Sequence, residues 1–309
     1  MSSPLLVFNT EKYAELGQRV CDHGGFELGE LERKVFPDGE LYRRLVTDVG
    51  KRDVVLLGGT ITDIDTLELY DIACGLVHAG VHTLTLVLPW FGYQTMERAS
   101  KPGEIVAAKT RSRLLSSIPT AGSGNRAVML DLHSEGITQY FCGNIRPVHL
   151  QARSVVLDAI RDLAEDQPFV LGATDAGRAK WVESLANALD VEAAFVFKRR
   201  VSGKKTEVTA LAADVTDKRV IMYDDMIRTG GSLIAAAQAY LDSGAKDVAA
   251  VTTHAVLAGD ALDKIRSSKA LAALVGTDTR PHAEALADGD FFRVVTVSGL
   301  IADFLHRSV

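Results

Sequence analysis

The chain has 309 residues, 47% hydrophobic and 24% charged, with a formal net charge of -6. That length suits two domains of about 150 residues with ample core, and the acidic balance excludes broad electrostatic adhesion to nucleic acid or to an anionic membrane. No apolar run spans a bilayer. The three cysteines, Cys21, Cys74 and Cys142, are far apart and form no CxxC pair. They read as reduced thiols, not as staples or zinc ligands. The start turns polar by Asn9 without a basic leader, so a cytoplasmic chain is expected.

In chain order, short apolar and largely β-branched runs predict strands at PLLVF, DVVLLGG, TLTLVLPWF and RAVMLDL. Further strands are predicted at FVLGATD, AAFVF, RVIMYDD, DVAAVTTHAV, ALVGT and RVVTV. Between them, helical spacing marks DTLELYDIACGLVHAG, VAAKTRSRLLSSI, QARSVVLDAIRDLAED, AKWVESLANALD and GGSLIAAAQAYLDSGAK, several of which end in glycine. Strands separated by helices imply an α/β fold, with mainly parallel sheets covered on both faces. The pattern is interrupted at Pro147, in NIRPVHL, where a second strand–helix series is expected to begin. The expected halves are 1–147 and 148–288.

In VIMYDDMIRTGGSLIAAA, Asp224 and Asp225 fall at the carboxyl end of a predicted strand, where open α/β sheets bind ligands. Thr229, Gly230, Gly231 and Ser232 form the turn into the next helix. Glycine lets backbone N–H groups approach an anion, and the helix N-terminus adds a favourable dipole. A phosphate suits this loop, while the carboxylates suit hydroxyls or a divalent cation, and a sugar phosphate carries both parts. The structural alternative is an ordinary strand-end turn into a capped helix. No Walker loop is present. Asp175, in GATDAGRAKW, also follows an apolar strand, as either a turn residue or a second site acid. In FKRRVSGKKTEV, Lys198, Arg199, Arg200, Lys204 and Lys205 suggest a mobile basic loop that closes over phosphates; the alternative is a solvated face.

In the first half, Asp131 and His133 of VMLDLHSEG leave a strand end, where an Asp-x-His pair can hold a metal or position a proton acceptor. Phe36, Asp38 and Glu40 surround the glycine of FPDGELYRRL, which taken alone reads as a plain hairpin turn.

Together these motifs resemble the ribose-phosphate pyrophosphokinase family, from near the N-terminus to SGLIADFL. The matching stretches are FPDGELYRRL, LPWFGYQTMERASKPGEIVAAKTRSRLLSSI, VMLDLHSEGITQYF, DAGRAKW, FKRR, DDMIRTGGSLI and VTTHAV. The resemblance implies two phosphoribosyltransferase-like domains, with the last segment, from about 289 to 309, returning to the first. It implies transfer of the β,γ-pyrophosphoryl group of Mg-ATP to the carbon-1 hydroxyl of ribose 5-phosphate. Asp224 and Asp225 then hold the ribose hydroxyls or the metal around them, and Arg228 to Ser232 cradle the 5-phosphate. Asp175 matches a ribose-side and metal-linked acid, His133 matches the metal- and phosphate-side histidine at the ATP, and Lys198 and Arg200 match a pair that stabilises the transferring group. Phe36, Asp38 and Glu40 match an adenine-holding segment across a subunit contact, implying a homo-oligomer built on dimers or a hexamer.

The family pattern Ala-Arg-Gln-Asp is replaced by Gln94-Thr95-Met96-Glu97, while Arg98 is retained, and Arg228 stands where an aspartate is common. The segment from Thr95 to Pro119 more closely resembles the plant-type class, which implies no need for phosphate activation. Two other readings share these motifs: a non-catalytic regulatory homologue and a phosphoribosyltransferase.

Overall fold

Every strand segment expected above enters a sheet in the computed structural model, which describes residues 4–202, 205–211 and 213–308. The chain divides into two compact units. The first contains β1 (Leu6–Asn9), α1 (Ala14–Gly24), β2 (Glu27–Leu28), β3 (Leu31–Val35), β4 (Leu41–Leu45), β5 (Asp53–Leu57) and α2 (Asp63–His78). It continues with β6 (Thr83–Leu88), α3 (Ala107–Ser116), β7 (Asn125–Leu130) and β8 (Ile145–Leu150). Its sheet is parallel in the order β2-β1-β5-β6-β7-β8, and Leu6, Phe8, Leu56, Leu76, Leu86 and Met129 pack in its core. A capping box starts α2: Thr62 accepts from the Asp65 N–H, and the Asp65 carboxylate accepts from the Thr62 N–H.

Pro147 does not open the second unit. It lies within β8, which pairs in parallel with β7 and forms the sheet edge, where a residue without an N–H leaves no ladder bond unmade. The first unit therefore extends to Gln151. Outside the sheet, β3 and β4 form an antiparallel hairpin around Phe36–Glu40.

The second unit contains α4 (Arg153–Ala164), β9 (Phe169–Ala173), α5 (Ala179–Leu189), β10 (Ala193–Ser202), β11 (Lys205–Leu211), β12 (Arg219–Ile227) and α6 (Gly231–Asp242). It is completed by β13 (Asp247–Ala255), α7 (Ala261–Ser268), β14 (Ala273–Thr277), α8 (His282–Leu286) and β15 (Phe292–Val295). The strand order is β11-β10-β9-β12-β13-β14-β15, parallel except for the antiparallel β10–β11 pair. The chain leaves β9 in one direction and returns on its other side as β12, so the order reverses between them. In open α/β sheets this switch point is where ligands bind. The final helix, α9 (Ser298–Ser308), belongs to the first unit, where Ser298 Oγ lies 3.1 Å from His23 Nδ1 and the His306 ring packs on Phe26.

The switch point rests on a buried tie. Tyr240 of α6 is fully buried, and its hydroxyl lies 3.0 Å from both the Ala173 and Ala194 carbonyls, at the ends of β9 and in β10. Tyr240→Phe leaves these acceptors without their donor and is expected to cost about 1–2 kcal/mol, measured as a lower urea midpoint at unchanged slope.

Candidate functional site

Strand β12 is buried along its length because helices cover both faces of the sheet, so its terminal carboxylates are drawn out of water. Asp225 is 5% exposed. Asp224 accepts a 2.8 Å bond from Thr174 Oγ1, at the end of the neighbouring β9. Burial, and then the charge of Asp225, push the Asp224 carboxyl up to about 7, against weaker opposing contributions from Thr174 and Arg178. Beside it on β13, Thr252 pairs in register with Asp224, and its buried hydroxyl has no partner among the described residues.

Gly230 follows in the left-handed region at φ 77°, and a Cβ there would stand 2.5 Å from Ile265 Cγ1. Only glycine fits that turn. It delivers the chain into α6, whose N-terminus has no side-chain cap, so its first amides remain available to an anion. Arg228, Thr229, Gly231 and Ser232 are exposed around this turn. Across the switch point, Asp175 is exposed and accepts the Gly177 N–H at 2.8 Å. Asp175 is thus a turn residue as well as a site candidate. Arg178 follows, and its guanidinium is ion-paired with Asp225.

In the first unit, the chain leaves β7 through Asp131, which has a φ of 35°. Two side chains pin the next two amides: Leu132 N–H donates to His149 Nε2 at 3.0 Å, and His133 N–H donates to Gln94 Oε1 at 2.8 Å. Accepting at Nε2 puts the proton of neutral His149 on Nδ1, 3.6 Å from Glu135 Oε1. Gln94 is 1% exposed, and its Nε2 has no partner among the described residues. His133 is thereby brought beside the segment Thr95 to Arg98. Met96 and Arg98 are exposed, Arg98 Nε lies 3.5 Å from Glu97 Oε1, and the Glu97 carbonyl accepts from the Tyr140 hydroxyl.

Phe36, Asp38 and Glu40 form the tip of the β3–β4 hairpin, where Glu40 N–H donates to Asp38 Oδ1 at 3.1 Å. Val35, Phe36 and Leu41 are exposed there. The basic run expected as a loop lies on paired strands instead: Lys198 pairs with Val208, Arg199 with Glu207 and Arg200 with Thr206, with irregularities at Phe197/Lys198 and Arg200/Ser202. Lys204, and the side chains of Lys198, Arg199, Arg200 and Lys205, lie outside the described residues.

Thr174, Arg178 and His149 were not singled out from the sequence, and Gln94 was named there only as a departure from the family pattern. Arg178 and Gln94 each sit within a motif quoted there, but their partners are 47 and 39 residues away in the chain. No local pattern announces such pairings.

The profile of the N-terminal domain of ribose phosphate pyrophosphokinase matches residues 5–118, and that of the phosphoribosyl synthetase-associated domain matches residues 172–309. A crystal structure of phosphoribosylpyrophosphate synthetase from Mycobacterium smegmatis superposes with a TM-score of 0.85 at 24% identity, covering 98% of both chains. Two mainly parallel sheets flanked by helices thus define an α/β protein of phosphoribosyltransferase-like fold. A ribose-phosphate pyrophosphokinase of Chromobacterium violaceum is 31% identical over 98% of this chain and 91% of its own. That of Fusobacterium nucleatum is 31% identical, over 97% and 94%. The chain belongs to the ribose-phosphate pyrophosphokinase family.

Proposed function

We propose that this protein is a ribose-phosphate diphosphokinase, which makes phosphoribosyl pyrophosphate and AMP from ribose 5-phosphate and ATP. The observation that carries the reading is the acid pair of β12, with Asp225 buried and Asp224 half-buried, followed by a glycine-turned helix N-terminus without a side-chain cap among the described residues, beside the switch point of the second unit. Thr229 to Ser232 and Arg228 receive the 5-phosphate through backbone amides, hydroxyls and a guanidinium. Asp224 and Asp225 accept the ribose hydroxyls. The carbon-1 oxygen attacks the β-phosphorus, its proton is lost, and the bond to the α-phosphate oxygen breaks to release AMP. Positioning and charge neutralisation carry most of such a transfer, and Lys198 and Arg200 supply the neutralising charge.

On the nucleotide side we assign His133 and the segment Thr95–Arg98, with Phe36, Asp38 and Glu40 of a neighbouring copy holding adenine. That assignment makes the working species a homo-oligomer. Among the described residues no cluster of three His, Cys, Asp or Glu forms a metal cage. Mg²⁺ keeps water and phosphate oxygens and takes few protein ligands. His133 in the first unit and Asp175 in the second are each assigned to metal binding, where Mg²⁺ would neutralise phosphate charge.

Gln94 is expected to act by holding the His133 amide. Gln94→Ala should lower kcat by about tenfold with little change in KM for ribose 5-phosphate. Gln94→Glu retains the acceptor oxygen and should recover part of that loss in steady-state assays. Phosphorus NMR of the reaction tests the main reading: the carbon-1 diphosphate of the product and AMP should rise together. A protein that binds both substrates without turnover would instead be a regulatory homologue.

A further inference from the structure

The acidic strand end carries its own counter-cation. The turn closed by Asp175 and Gly177 leads into one 3₁₀ turn, Ala176–Arg178, and sets Arg178 at the N-cap of α5. A positive charge at a helix N-terminus opposes the helix dipole, so the local sequence gives it no electrostatic reason to be there. The reason is tertiary: Arg178 Nη2 is paired with Asp225 Oδ2, with side chains only 20% and 7% exposed. Two adjacent carboxylates withdrawn from water repel one another and attract a divalent ion. With a guanidinium paired to Asp225, the charge of that carboxylate is balanced locally. Asp224 is oriented by Thr174, and both acids keep oxygens for hydroxyl donors.

We propose that Arg178 is the charge-setting and positioning residue of the sugar site: it neutralises Asp225, so that the strand end receives ribose hydroxyls directly and is closed to a divalent cation. This rests on the sugar-phosphate reading above for the identity of the ligand, whereas the exclusion of the cation does not.

The test uses the full-length, nucleotide-free protein. Mn²⁺ binding is followed by electron paramagnetic resonance, and ribose 5-phosphate binding by calorimetry. Arg178→Gln should gain one Mn²⁺ per chain over the unsubstituted protein, and Asp225→Asn added to it should remove that ion. Affinity for ribose 5-phosphate should fall about tenfold in Arg178→Gln and recover largely in Arg178→Lys, which restores the charge. A folded Arg178→Gln with no added Mn²⁺ and undiminished sugar-phosphate affinity would overturn the proposal, leaving Arg178 as a structural ion pair. The unsubstituted protein provides a second test: a bound Mn²⁺ that Asp225→Asn abolishes would overturn the exclusion outright. If ribose 5-phosphate fails to bind while Arg178→Gln still gains its ion, the substrate reading fails and the cation exclusion stands.

Discussion

Asp224→Asn is expected to make the protein more stable at pH 8 while cutting kcat/KM for ribose 5-phosphate by about a hundredfold. The carboxyl of Asp224 is raised from 3.8 to about 7 by burial and by Asp225. For an acid whose pKa is higher folded than unfolded, the native state binds the extra proton between the two values, so stability falls as pH rises from about 4 to 7. A gap of that size is worth up to roughly 4 kcal/mol. Asparagine keeps the shape, still accepts from Thr174 through Oδ1, and never ionises, so it escapes this penalty. The gain in melting temperature should therefore be large at pH 8 and nearly absent at pH 4. Its price is function, because an amide cannot match a carboxylate as acceptor for two sugar hydroxyls. Equal stabilisation at both pH values would show that burial of the charge is not its source.

Lys198→Ala should lower kcat by about a thousandfold and leave ribose 5-phosphate affinity within about threefold. Pyrophosphoryl transfer moves charge onto the bridging oxygen of AMP and spreads it over the equatorial phosphate oxygens. A cation that meets this charge only in the transition state contributes to turnover and not to ground-state binding. Lys198 lies on β10 directly after the first irregularity in its pairing with β11. Bulges of this kind are common beside active sites. Calorimetry on the variant separates the two roles: a loss of sugar-phosphate affinity equal to the loss of turnover would place Lys198 in substrate binding instead.

The sheets were legible because helix-covered parallel strands read as short apolar runs, as in Val220–Tyr223. The acid pair and the glycine turn were legible because they are contiguous with such a run. Pro147 misled because proline breaks an interior strand but not an edge strand, and edge position is set by topology. The run from Lys198 to Lys205 looked like a loop because its charge outweighed its pattern, although Gly203 between two β-branched stretches is a hairpin signal. The roles of Gln94 and Arg178 were not legible. Each is a polar residue whose role comes from a partner on another element, His133 or Asp225, and residue type alone cannot separate such a group from a solvated one.

The central claim is that ATP gives up its two terminal phosphates together, to carbon 1 of ribose 5-phosphate. The most direct measurement is nucleotide chromatography of a reaction containing purified protein, Mg-ATP and limiting ribose 5-phosphate. The account predicts AMP equal in amount to the sugar phosphate consumed, with no accumulation of ADP and no AMP when the sugar phosphate is left out. Formation of ADP, or of neither nucleotide at any phosphate concentration, would contradict it.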